Sequence, residues 1–445
     1  MASPDSIQAL LLRGVTSRAE LQRELGVSQP TLSRAIQQLG ERVIRVSGGR
    51  SARYGLRRVL PQIGSSWPVF VIDASGAPTP YAELTSLARD QYWLAANDTR
   101  NSVLSDGLPY FLADLWPQGF IGRTVSKRFP DLNLPARITD WNDADVLSYL
   151  TRRGEDCVGN LLLGDESLQR YLRGDGDRLG RLAPVARGKH YPELADAAIA
   201  GSPAGSSATG EHPKFLTSLQ LDTEVIHVLV KFSPPVADPV SQRWSDLLVA
   251  EHIASKALGD IGVVAAASEL VMGGGRMFLE SRRFDRSGER GRIGVVSLAA
   301  VADHHIGRRD NWMMAAANLR AIGAISAPAA HTMRRAATFG QLIGNTDMHF
   351  GNLSFFYSAR GALSVTPVYD MLPMIYAPIA GDELPKRNFE PPLPVAGNLD
   401  VWASISQRAA AYWEEVAAHE MISAEFARIA RDNAGIAARA GKQVT

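Results

Sequence analysis

The chain has 445 residues, 45% hydrophobic and 21% charged, with a formal net charge of +1; this is a globular rather than a disordered composition, and the length predicts two or three domains instead of one core. Its single cysteine, Cys157, excludes an intramolecular disulfide and fits a reducing, cytoplasmic setting, with the thiol expected as a small buried apolar group. No apolar run approaches the ~18 residues of a membrane span, and no signal-peptide pattern opens the chain.

Charge is unevenly spread. Residues 1–60 hold ten arginines, no lysine and four acids, a net +6 that leaves −5 for the remainder, so one end is suited to a polyanion. Ser3-Pro4 predicts a capped first helix, Ser17-Arg18-Ala19-Glu20 is a capping box opening a second, and Gly26 ends it. Ser28 is expected to cap a third helix, with Leu32, Ile36 and Leu39 on its buried face. Two helices about a glycine turn, followed by strands at Val43–Val46 and Ala52–Leu56, predict a winged helix-turn-helix. Placed in a major groove, Ser28, Gln29, Thr31, Ser33 and Arg34 reach bases or phosphates, with Arg45, Arg50 and Arg53 on the wing; double-stranded DNA is the expected partner and protein docking the alternative.

A Pro-, Gly- and Ser-rich linker follows at 61–68, then a strand at Val69–Ile72, a helix expected over Tyr81–Arg89, and another over Asp145–Arg152. Residues 61–195 form an expected connecting region without assigned chemistry. In 196–300, the small-residue stretch Ala204-Gly205-Ser206-Ser207-Ala208 lets backbone amides approach phosphate oxygens, although it lacks the Gly-Lys-Ser/Thr ending of a Walker A loop. The apolar strand Val225–Phe232 carries Lys231 near its end, which suits contact with nucleotide phosphates, and Glu251 on a helix over Ser245–Leu258 is the expected ion-pair partner of that lysine. A mainly helical region fills 301–445, with His304 and His305 expected in a loop.

Within that last region, Gly344–Phe356 carries the most chemistry. Asp347 is followed at the fifth position by Asn352, the interval of a kinase catalytic loop, and Asp370 lies beyond the next hairpin. In phosphoryl transfer Asp347 orients and deprotonates a hydroxyl, while Asn352 and Asp370 hold Mg2+ on ATP. His349 is expected to buttress this loop or the nucleotide rather than act as a second base. Alternatives are a transcription regulator whose kinase body only senses nucleotide, or a metal-dependent nuclease that leaves Lys231 and the small-residue loop without a task.

Asn345-Thr346-Asp347-Met348-His349-Phe350-Gly351-Asn352 resembles the N-x-D-x-H-x-x-N signature of the HipA family of bacterial Ser/Thr kinases, the toxins of toxin-antitoxin modules, and Pro367-Val368-Tyr369-Asp370 is similar to that family's P-x-Y-D motif. Gly351 departs from it, since many members carry Lys there. The resemblance covers most of residues 61–445 and implies an α+β protein in which a winged helix-turn-helix precedes a two-lobed, protein-kinase-like body with a mainly helical C-terminal lobe. It further implies a nucleotide loop from Ala204 to Lys214, ATP on Lys231, and an adenine hinge at Arg282–Arg286, including Phe284, with Glu280 as the alternative polar group. Tyr369 joins the nucleotide site, and Ser202 becomes the candidate autophosphorylation site. The implied activity is toxin-type phosphorylation of a cellular protein, the family's known targets being aminoacyl-tRNA synthetases, with a separate antitoxin as a possible partner.

Overall fold

The computed structural model describes residues 3–47, 52–117, 119–174, 181–201, 212–357, 363–379, 383–384 and 386–442. Arg50, Ser202 and the stretch 204–208, all singled out in the sequence, lie outside these residues. The chain forms two compact units, one of residues 1–73, 77–116 and 139–176, the other of 74–76, 117–138 and 177–445.

In the first unit the N-terminal helices form where their caps predict. Ser3 Oγ accepts from Ser6 N at 3.2 Å at the head of the helix Pro4–Leu11. Ser17 and Glu20 close the expected capping box on Arg18–Leu25, and Gly26 ends that helix at φ 62°, a conformation that costs a residue without Cβ little. Ser28 departs from expectation: its Oγ pairs with the Thr31 hydroxyl at 3.0 Å and makes no capping bond to the backbone of Gln29–Leu39. Ile7, Leu11, Leu21, Leu32 and Leu39 share one core. The strand Arg53–Leu56 pairs on one side with Thr16–Ser17 and on the other with Val43–Ser47, so the order of elements is that expected of a winged helix.

This module does not end cleanly at residue 60. Ala88 enters its core, Ala88 N donates to Leu56 O at 2.8 Å, and Arg58 N donates to Ser86 O at 3.0 Å, so the following region packs as part of the same unit. The helix expected over Tyr81–Arg89 is instead the strand Pro78–Ser86. It lies inside a five-stranded sheet between Ser66–Ile72 and Gln91–Ala96, and the ladders on both sides outweigh the weak helical spacing of its apolar residues. The helix Asp143–Arg153 is capped by Asn142, and Cys157 is buried as expected.

The second unit is built on another five-stranded sheet, in the order Ser268–Gly273, Arg276–Arg282, Val225–Phe232, Lys214–Gln220, Arg181–Leu182. Because strand side chains alternate, its two faces divide cleanly. Phe215, Val228, Val230, Phe232 and Phe278 cluster with Tyr191 and Ala195 of the helix Arg187–Gly201, so the C-terminal part of the expected connecting region belongs to this unit. The opposite face carries Lys231 and meets the helix Pro239–Asp260, which begins earlier than the sequence spacing indicated because Asp238 accepts from Ser241 N at 2.8 Å and Pro239 opens the first turn. Leu298–His305, Trp312–Ala321, Ala327–Leu342, Leu399–Ala418 and Ala424–Gly441 make the helical part. His304 and His305 close the first of these helices instead of lying in a loop. Among the described residues no helix is long and apolar enough to cross a membrane.

Candidate active site

Lys231 lies opposite Lys214 across the antiparallel pair, which puts both side chains on the face covered by Pro239–Asp260. That helix supplies Glu251, whose two oxygens accept from Lys231 Nζ at 2.7 and 2.8 Å. Lys231 also donates to Asp370 Oδ1, so one ammonium joins two carboxylates that enter from different elements. Lys231 and Glu251 are 4% and 7% exposed, a depth at which a cation persists only when paired. Burial opposes the charge on Lys231, but Asp370 and Glu251 outweigh it and raise the lysine's pKa. Burial likewise works against ionised Asp370, yet Lys231 and Lys214 prevail and hold its carboxyl at about 2. At Glu251 burial wins and the pKa is raised.

Asp370 is delivered by a short parallel bridge: Val368 N donates to Val264 O and Ala266 N to Val368 O, both at 2.9 Å. Immediately afterwards Asp370 takes φ 55°, a left-handed backbone that Asp tolerates better than most residues and that occurs often at functional sites.

The loop carrying Asp347 leaves the helix Ala327–Leu342 and is braced by its own amides. Asn345 Oδ1 accepts from Asp347 N at 3.1 Å, while its Nδ2 donates to Asp370 O at 3.2 Å, so one side chain spaces the two acidic residues. Asp347 O accepts from Asn352 Nδ2 at 2.9 Å and from His349 N at 2.8 Å. His349 Nδ1 accepts from Gly351 N at 3.0 Å, and Trp312 Nε1 donates to His349 O at 3.2 Å. His349 is therefore a brace. Tyr369 OH donates to Gly351 O at 2.9 Å and shares a hydrogen bond with Ser354 Oγ, and its ring packs on Phe284 with centroids 5.8 Å apart. The side chain of Asp347 is exposed at the tip.

Gly344 makes the turn that starts this loop. It has φ 75°, and a Cβ there would sit 2.8 Å from Ile375 Cγ2, whose backbone N donates to Gly344 O at 3.0 Å. Gly344→Ala is expected to destabilise the protein by roughly 1–3 kcal/mol, read as a lowered midpoint in chemical denaturation.

The side chains of two expected nucleotide contacts turn away from the lysines. Glu280 pairs with Val230 and therefore faces away from Lys231, where it accepts from Tyr191 OH and, at 3.1 Å, from Arg187 Nη1. Arg282, two residues on and on the same face, is exposed and paired with Glu224. An even spacing along one strand sends both side chains to the face opposite the lysines, a consequence of register that the sequence segment alone did not reveal. Sequence reasoning also passed over Asn345 as a positioning residue, although an Asn two residues before the acid is the pattern of a side chain bonding a nearby backbone amide. His212, buried beside the lysines, fell within the nucleotide loop that the resemblance implies but was given no role of its own.

The oxygen donors suit magnesium. Asn352 engages Asp347 O through Nδ2 and so keeps Oδ1 for a metal, with Asp370 supplying a carboxylate. Among the described residues no group of three or more His, Cys, Asp and Glu side chains could hold a metal ion, so a magnesium ion here would complete its shell with phosphate oxygens and water.

A lysine bridged to a helix glutamate and to a distant aspartate stands next to an Asp–Asn loop, in a fold that has a solved counterpart. The chain shares that fold with the HipA structure solved in the complex of Shewanella oneidensis MR-1 HipA, HipB and operator DNA, at a TM-score of 0.51 and 18% identity over 85% of this chain and 95% of that one. A weaker structural match, at a TM-score of 0.36 and 14% identity, is the Helicobacter pylori proinflammatory kinase CtkA, over 52% of this chain and 92% of that one. Residues 63–172 match the YjjJ-like toxin middle domain and residues 206–437 the HipA-like C-terminal domain. Toxin YjjJ of Escherichia coli (strain K12) is 36% identical over 425 residues, 95% of either chain. The chain belongs to the HipA-like toxin family.

Proposed function

We propose that this protein is an ATP-dependent Ser/Thr protein kinase of the HipA toxin type, acting in the cytoplasm on a cellular protein such as an aminoacyl-tRNA synthetase. The observation that carries the reading is the buried Lys231–Glu251–Asp370 bridge joined through Asn345 to the exposed Asp347. Lys231 and Lys214 bind the phosphates, and Glu251 fixes the angle of Lys231. Asp347 orients a substrate hydroxyl and accepts its proton as the oxygen bonds to the terminal phosphorus, whose bond to the bridging oxygen breaks to release ADP. Asn352 and Asp370 hold Mg2+, which when bound offsets negative charge on the transferring phosphoryl group. The experiment is ATP-dependent phosphate incorporation into the protein and into lysate proteins, compared with Asp347→Ala. Equal incorporation in both would end the reading.

The N-terminal unit points to a second activity. The Shewanella structure holds HipA with HipB and operator DNA; in this chain we assign duplex binding to the basic winged helix in cis, with an antitoxin as a further partner. Arg34 and Arg45 are exposed on the third helix and the wing strand. Arg34→Ala and Arg45→Ala are each expected to weaken duplex binding across sequences and to lower the salt slope by about 1, measured by anisotropy over a salt series. Operator binding in a protein with no ATP turnover would favour a nucleotide-sensing regulator instead.

A further inference from the structure

We propose that His212 is a third phosphate-binding group beside Lys214 and Lys231, offering its buried Nε2 to an oxygen of the bound nucleotide. This inference rests on the kinase reading above. His212 is 8% exposed, and its Nε2 has no hydrogen-bond partner among the described residues. Phe232 N donates to Pro213 O at 3.2 Å, so the pairing of Lys214 with Lys231 continues one residue further back. Alternation then sets His212 on the face of the two lysines. Its ring stands edge-to-face on Trp244, centroids 4.3 Å apart, and Trp244 belongs to the helix that supplies Glu251 to the same face.

The surroundings specify the ligand. Burial together with Lys231 and Lys214 holds the His212 imidazole far below its ordinary range, at about 3, against a smaller opposing pull from Asp370. The ring is therefore neutral at physiological pH and carries one N–H. A buried polar atom without a partner is costly in a folded protein, and a partner is expected to complete it. Lys214 adds a cation on the same face, beyond the charge on Lys231 that Glu251 and Asp370 already share, and a neutral N–H donated to a phosphate oxygen forms a charge-assisted bond without adding a further positive charge. A base or ribose gains nothing from the lysines, so the phosphates are the matched group.

Two substitutions separate this role from packing. His212→Phe keeps a ring against Trp244 and removes the donor; His212→Gln retains an amide N–H. With the full chain and Mg2+, calorimetry is expected to show ADP and ATP binding roughly ten- to a hundredfold weaker in His212→Phe, close to wild type in His212→Gln, and adenosine competing equally well against all three. The inference is overturned if His212→Phe binds ADP as wild type does, or if adenosine weakens in parallel with ADP. Loss of ADP binding in Lys231→Met with none in His212→Phe sinks this inference alone. A wild-type protein that binds neither ADP nor ATP removes the kinase reading as well.

Discussion

Asp347→Ala is expected to lower phosphoryl transfer by about 10²- to 10⁴-fold, the range a positioned general base contributes, with nucleotide affinity and thermal midpoint nearly unchanged. The reason lies in how the loop is held. Asn345, Asn352 and His349 bond the backbone N and O of Asp347, and Trp312 pins His349 O, so the loop keeps its course without the carboxylate. The side chain is exposed, and its removal leaves no cavity. Single-turnover transfer of labelled phosphate alongside ADP calorimetry reads both quantities. A variant that turns over ATP onto protein at the wild-type rate would show that another group takes the proton.

Lys231→Met should act on stability and activity together. Removing one partner from a buried ion pair leaves an uncompensated charge, typically 3–5 kcal/mol, and here Glu251 is 7% exposed and loses both of its bonds to the ammonium. Asp370, with a side chain 24% exposed, is less affected because water reaches it. Denaturation with urea is expected to show the loss, and nucleotide binding should fall with it. The double variant Lys231→Met, Glu251→Leu replaces the pair by apolar side chains; it is expected to regain most of the stability and none of the activity. Stability lost equally in both variants would place the cost in packing and not in the orphaned carboxylate.

The site was legible in the sequence where chemistry and spacing coincide locally. Asp347 and Asn352 share one loop, and a loop's internal hydrogen bonds depend on neighbours along the chain, so the interval between them carries through to geometry. Caps behaved similarly at Ser3 and Ser17, because a cap is satisfied within one turn. Tyr81–Arg89 was misread for the opposite reason: its short apolar pattern is compatible with helix or strand, and partners on both sides decided for strand. Glu280 and Arg282 fell in the expected segment but on the other side of it, since register turns each residue to one face or the other.

By itself the sequence determined which residue types can carry phosphoryl transfer, the order in which they occur, and the basic character of the N-terminal module, because these are properties of composition and of contacts a few residues apart. Tertiary structure alone decided that Lys231 reaches Glu251 and Asp370 at once, that Asn345 ties two acidic residues together, and that His212 lies buried beside the lysines. Those contacts join segments far apart in the chain, and whether they form depends on strand pairing and on which face of a sheet a helix covers.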